Sequence, residues 1–403
     1  MKFLTSTGLR PTKGLRKPTL RVGLGAAVLG LTSVALSPSG SYASPISTRA
    51  LAGSATTQAS PFTTDLKGIC PSTIIVQTNW WPEPDHGFLY ELIGANGTIS
   101  SQNDTYTGPL GATGVNLEIK AGGPAVGYQT VTSQLYVNNS ILLGMVGTDE
   151  AIENSAHQPT TAVFGEYEKN PTVFFWGNPS WNFNSVAAIG KSKDTVLLYS
   201  GETMTDVFLG EGWFNQAQLN TSYDGGPAQF VAANGNVISQ GFATYEPYFY
   251  EHELKQWDKP VKVLLVGNAY PTYENALAAR PSVLAEYHAC LAKLVPLFQQ
   301  ALIDYVHNPT TVDQVLVKFI NALDAKGFLL TVGSGAAAVQ VMKADGIVAN
   351  GPDGVLGSFQ ASRVQGLINS LSPIFAKQGK PVKVGLVPSD IATNEFLDPQ
   401  LHL

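Results

Sequence analysis

Aromatic, acidic and imidazole side chains crowd into one short stretch, residues 74–94, which reads IIVQTNWWPEPDHGFLYELIG. Trp80 and Trp81 present flat faces that stack on a ring or receive a cationic head. Adjacent residues at the end of a strand point opposite ways, so one of the pair faces outward while the other packs inward. Asp85 and His86 stand where a helix opens. A carboxylate there caps free backbone donors, and an imidazole either reaches a ligand or fixes the turn with a hydrogen bond. Tyr90 completes this first group of candidates.

Further candidates fall at the ends of other apolar runs. Gly123 and Tyr128 follow the alternating Val115, Leu117 and Ile119, and Thr148, Asp149 and Glu150 follow the apolar run over residues 141–146. Thr148 reads as a helix N-cap, with the two acids suited to the positive end of the helix dipole. Tyr199, Ser200, Gly201 and Thr203 open a helical stretch around Val207 and Phe208, and Tyr245 and Glu246 follow later. Free N–H groups at a helix start suit an anion, but Glu202 and Asp206 lie beside this one and oppose it. Capping or packing is the alternative reading for each of these residues. Taken together they are aromatic and acidic, with few lysines or arginines near strand ends. A small oxyanion wants a positive group or a dedicated helix terminus. A flat heteroaromatic molecule suits this set better, and an amine suits it through cation–π contact with paired carboxylates.

Catalytic signatures are missing from the chain. Gly190-Lys191-Ser192 matches the end of a phosphate-binding loop, but Ser185 stands where its leading glycine belongs. The six histidines are scattered, with no HExxH and no GxSxG motif. No enzyme activity, metal or cofactor is expected.

These residues need strands to deliver them. Ile74, Ile75 and Val76 form an uninterrupted apolar run, as in a strand buried on both faces, and Phe88, Leu89, Leu92 and Ile93 then share a helical face. The loop between lies at the carboxyl end of the strand, where open α/β sheets bind ligands. Strand signals recur over residues 173–176, 195–200 and 261–266, alternating with helical stretches. That order predicts a parallel or mixed sheet with helices on both faces.

The first residues read as an export signal. Six basic residues and no acid surround or precede a short apolar stretch over residues 22–36, and Ser41-Tyr42-Ala43 offers small residues for cleavage after Ala43. No cysteine follows closely enough for lipidation, and Arg16 is followed by Lys17 rather than a second arginine. Cleavage shifts the formal charge from -6 to -12, which disfavours nucleic acid as a partner. Residues 44–69, rich in Ser, Thr and Ala, read as a flexible leader. Cys70 and Cys290 are the only cysteines, and are either a disulfide in an oxidising compartment or two separate buried thiols.

The NWWPEPDH segment resembles the opening of substrate-binding proteins of the NMT1/THI5-like group, which also holds the nitrate, sulfonate and taurine binders of ABC importers. In its pyrimidine-binding branch a strand ends in tryptophan and is followed by proline and histidine, and Trp80 or Trp81, Pro82 and His86 stand in those places. SQGFATYEPYFYEHE, NGPDGVLG and SDIATNEFLD extend the resemblance over most of the chain. It implies an α/β, type II periplasmic-binding-protein fold with a ligand cleft between two lobes. The first lobe would comprise residues 70–166 and 246–403, and the second residues 167–245. It favours Trp80 as the stacking residue. It further implies an exported, monomeric solute-binding component that closes on a small ligand, thiamine-pyrimidine-like or flavin-like, and serves an ABC permease with its ATPase. The alternatives are nitrate, taurine or alkanesulfonates on the same fold, or a sensory or adhesive module. The branch's pyrimidine synthase carries a cysteine-rich signature that this chain lacks.

Overall fold

Apolar runs alternating with helical stretches fold into two mixed sheets. The computed structural model describes residues 62–199, 202–323, 325 and 328–403. The export signal, most of the leader, and Ser200 lie outside the described residues. The strands in chain order are β1 (Thr73–Gln77), β2 (Thr98–Ser100), β3 (Thr105–Pro109), β4 (Asn116–Lys120), β5 (Leu143–Val146), β6 (Thr161–Phe164), β7 (Thr172–Trp176), β8 (Val196–Leu197), β9 (Leu219–Asn220), β10 (Ile238–Phe242), β11 (Lys262–Leu265) and β12 (Ala276–Ala279).

The first sheet has the order β2-β3-β4-β1-β5-β12-β6. β1 lies parallel to β4 and β5, while β12 runs antiparallel to β5 and β6. Ile74 and Val76 of β1 and Leu117 and Ile119 of β4 are buried beneath the helices that follow. The helix His288–His307 covers this sheet by presenting Leu291, Leu294, Val295, Phe298 and Leu302 on one buried face. A disulfide joins its Cys290 to Cys70, just ahead of β1.

The second sheet has the order β11-β7-β10-β8-β9. β7 reads TVFFW and is buried along its whole length, which its unbroken apolar run requires. The helix Ala361–Lys377 packs against Thr148–Glu153 of the first lobe and Thr203–Gly210 of the second. Beyond it, Lys380 pairs at 2.6 Å with both Glu153 and Asp206, one carboxylate from each lobe.

Two expected boundaries move. The leader was expected to run to residue 69, yet Phe62 and Leu66 are buried in the first core, and the Leu66 N–H donates to the Thr113 carbonyl at 2.9 Å. Apolar burial and backbone hydrogen bonds to residues 112 and 113 hold this segment down. The return to the first lobe was expected at Glu246, yet β11 pairs antiparallel with β7. Tyr245, Phe249, Tyr250 and Trp257 also pack with Phe175 and Phe230 of the second lobe. Aromatic packing therefore keeps the chain in the second lobe until after β11, and the crossing falls between β11 and β12. The expected strand over residues 195–200 pairs only across Val196–Leu197. Among the described residues, no helix is long and apolar enough to cross a membrane.

Candidate functional site

Where β1 ends, its backbone is tied to the neighbouring strand. The Thr78 N–H donates to the Lys120 carbonyl and the Gly122 N–H donates to the Trp80 carbonyl, each at 2.9 Å. Gly123 follows in a left-handed conformation, φ 54°, and a Cβ built there would lie 2.4 Å from the Trp80 ring. Glycine is therefore what lets the indole lie against the β4 turn. The Trp80 ring meets Tyr199 of the second lobe at a centroid distance of 4.9 Å and Tyr128 at 6.0 Å. Tyr128 is also left-handed, at φ 59°. Its hydroxyl donates to the Asp224 carbonyl across the cleft at 3.2 Å.

Behind these rings, between the two sheets, lies a cavity of ≈ 190 Å³. Trp80, Tyr199, Tyr245 and Tyr270 form aromatic parts of its wall. Glu83, Asp149, Glu150, Glu202, Glu246 and Glu274 add six carboxylates, and the described lining contains no lysine, arginine or histidine. Burial pushes Glu246 up to about 8, and pushes Glu150 and Glu202 up to about 7 despite hydrogen bonds from Thr132 and Gln240. Burial, reinforced by neighbouring carboxylates, holds Glu83 and Glu274 well above the usual carboxylate range. Asp149 accepts from the Tyr270 hydroxyl at 2.7 Å and is also raised, chiefly by burial.

Of the residues singled out from sequence, Trp80, Gly123, Tyr128, Asp149, Glu150, Tyr199, Thr203, Tyr245 and Glu246 meet at this cavity. Trp81 does not line it. Its side chain turns toward the first core and borders a second cavity on the other side of Trp80. Asp85 caps no helix. It is fully buried, and its Oδ1 accepts from the hydroxyls of Tyr167 and, at 2.8 Å, Thr244 while Oδ2 has no partner among the described residues, so it joins the first lobe to the β6–β7 connection and to the segment after β10. His86 is buried within hydrogen-bond reach of Asn79 Oδ1, at 3.0 Å, and burial drives its ring down to about 3. It fixes the turn as a neutral imidazole. Tyr90 lies in the core between Tyr106 and Phe319. Thr148 is not the N-cap, because Gly147 occupies that position; the Thr148 hydroxyl instead accepts from the Tyr273 N–H at 3.0 Å.

Asn79, Glu83, Gln240, Tyr270 and Glu274 are lining residues that sequence reasoning missed. Glu83 was in plain view inside the quoted motif, on the turn after β1. Glu274 and Tyr270 carried no usable signal: they precede a strand, and only the antiparallel course of β12, with Ala276 opposite Val146, brings its start beside the end of β5.

Two solved structures share this architecture. The periplasmic aliphatic sulphonate binding protein SsuA from Escherichia coli superposes with a TM-score of 0.50 at 15% identity, covering 80% of this chain and 90% of that one. The alkanesulfonate-binding protein SsuA from Xanthomonas axonopodis pv. citri, bound to MOPS, gives 0.51 at 11% identity, covering 80% and 99%. The fold is the type II periplasmic-binding-protein fold. Its two α/β lobes enclose the cavity described above. No protein-family model and no curated protein matches the sequence.

Proposed function

We propose that this chain is the extracytoplasmic solute-binding component of an ABC importer, which captures one small ligand by closing its lobes. The observation that carries this reading is the cavity itself: Trp80 from one lobe and Tyr199 from the other meet over a chamber built from strand ends of both sheets. A ligand bridging the lobes favours the closed state by its differential affinity, with no covalent step. A cavity of about 150 Å³ holds benzene, so ≈ 190 Å³ suits a single-ring molecule such as a pyrimidine. The sulfonate alternative, suggested by the ligands named for the two SsuA proteins, is disfavoured by carboxylates in a lining where no described residue is basic. The partners on this reading are a permease and its ATPase, with the binder acting as an exported monomer.

A thermal-shift screen of the purified protein tests the reading. A ligand at a hundred times its dissociation constant adds about 2.7 kcal/mol of stability. A shift with a single-ring compound supports the proposal. A shift only with nitrate, taurine or an alkanesulfonate keeps the importer role and overturns the ligand class.

A further inference from the structure

We propose that the molecule held in the cleft is a small organic cation, a protonated amine whose nitrogen sits among the carboxylates around Glu83 and Glu246 while its carbon frame lies against Trp80 and Tyr199. This rests on the solute-binding reading and adds the sign of the ligand's charge.

Glu83 makes the strongest case. It is 5% exposed, lines the cavity, and accepts no hydrogen bond from any described residue. Its nearest basic neighbour is the neutral His86 ring, with Nε2 at 3.6 Å. Glu274 likewise accepts no hydrogen bond among the described residues and faces the same space. A carboxylate withdrawn from water is costly unless it is paired. Near the surface the chain pairs acids with bases, as Lys380 does with Glu153 and Asp206, Arg363 with Glu168, and Lys383 with Asp390; no such base among the described residues lines the cavity. Asp149, Glu150, Glu202 and Glu246 each accept a hydrogen bond from the chain, whereas Glu83 and Glu274 are left for something that arrives.

Among the described residues no three histidine, cysteine or acidic side chains are grouped to hold a metal ion, which favours an organic cation. The aromatic wall supplies what an organic cation needs in addition to charge. Cations are drawn to the faces of tryptophan and tyrosine, more strongly once out of water. The raised acids fit the same picture: burial disfavours their charged form, and a positive charge among them would favour it.

Calorimetric titration of the full chain with benzylamine, butylamine and putrescine, beside benzyl alcohol, butanol, nitrate, methanesulfonate and calcium, tests the proposal. At least one amine should bind, while its neutral counterpart, the anions and calcium should not. Amine affinity should rise from pH 6 to pH 8, with proton release. The acids facing the amine are Glu83 of the turn after β1, Asp149 and Glu150 after β5, Glu202 before the helix Thr203–Gly210, Glu246 after β10 and Glu274 before β12. Glu83→Gln and Glu246→Gln should each weaken the amine at least tenfold. Should one variant fail to fold, the other and the pH series carry the same test. Binding of a neutral compound or an anion with the amines silent overturns the cation and keeps the solute binder. Silence across the panel overturns the cation and leaves the solute binder to the thermal-shift screen, binding of calcium in place of amines overturns the organic cation, and unchanged amine affinity in folded variants overturns the site.

Discussion

Glu83 and Asp85 stand two residues apart on the turn after β1, both withdrawn from water, in surroundings that differ in kind. Asp85 faces the floor beneath the cleft, where hydroxyls of Tyr167 and Thr244 donate to it. Glu83 faces the cavity, where no described residue donates to it. The floor is held from within the chain through Asp85 Oδ1, while Oδ2 has no partner among the described residues, and it joins the two lobes. On the wall, Glu83 and Glu274 accept no hydrogen bond from the described residues, and on the proposal above a ligand completes them. The difference lies in location as much as in pairing: Asp85 is enclosed and tied to hydroxyls of the chain, while Glu83 opens on the cavity with no donor among the described residues.

Variants on the two sides of this comparison should part stability from affinity. The largest effect is expected at the disulfide. Cys70 and Cys290 are 220 residues apart, and closing so long a loop contributes about 5 kcal/mol in the chain-entropy account. Replacing both by serine should lower stability toward that amount in urea unfolding while leaving ligand affinity near its original value. Asp85→Ala comes next, because it takes the carboxylate acceptor from two buried hydroxyls, leaving Tyr167 only a long contact to the backbone carbonyl of residue 85. A loss of about 3 kcal/mol is expected from the same measurement, and an unchanged unfolding midpoint would remove Asp85 from the floor. Trp80→Ala should do the reverse, costing about 1–3 kcal/mol of binding by calorimetry with the folded state intact. Collapse of that variant would make Trp80 a core residue instead. The smallest effect belongs to Lys380→Ala. Its side chain is 48% exposed, which leaves its pairs with Glu153 and Asp206 screened by solvent. A loss under about 1 kcal/mol is expected, shrinking further in high salt.

Much of this arrangement was legible before any coordinates. The apolar run of β1, the alternation of β4 and the strand–turn–helix order predicted a layered α/β fold, and the aromatic and acidic candidates at strand ends included nine residues that meet at the cavity. Local pattern suffices there because a parallel strand delivers its carboxyl end to the cleft wherever it falls in the sheet. It fails where the neighbour decides. Tyr90 and Thr148 carry the right chemistry at the right spacing, yet helix packing turns one into the core and the Tyr273 backbone claims the other.

Residue types and their period along the chain thus determined that this protein has strands ending in tryptophan, tyrosine and glutamate, with a cysteine early and another late. Which acids are answered and which are left open was decided only by tertiary structure. Strand direction is a property of pairing, so the antiparallel β12 could bring Glu274 to the cleft, and the aromatic cluster around Phe175 could hold residues 245–257 in the second lobe, without any local mark in the sequence.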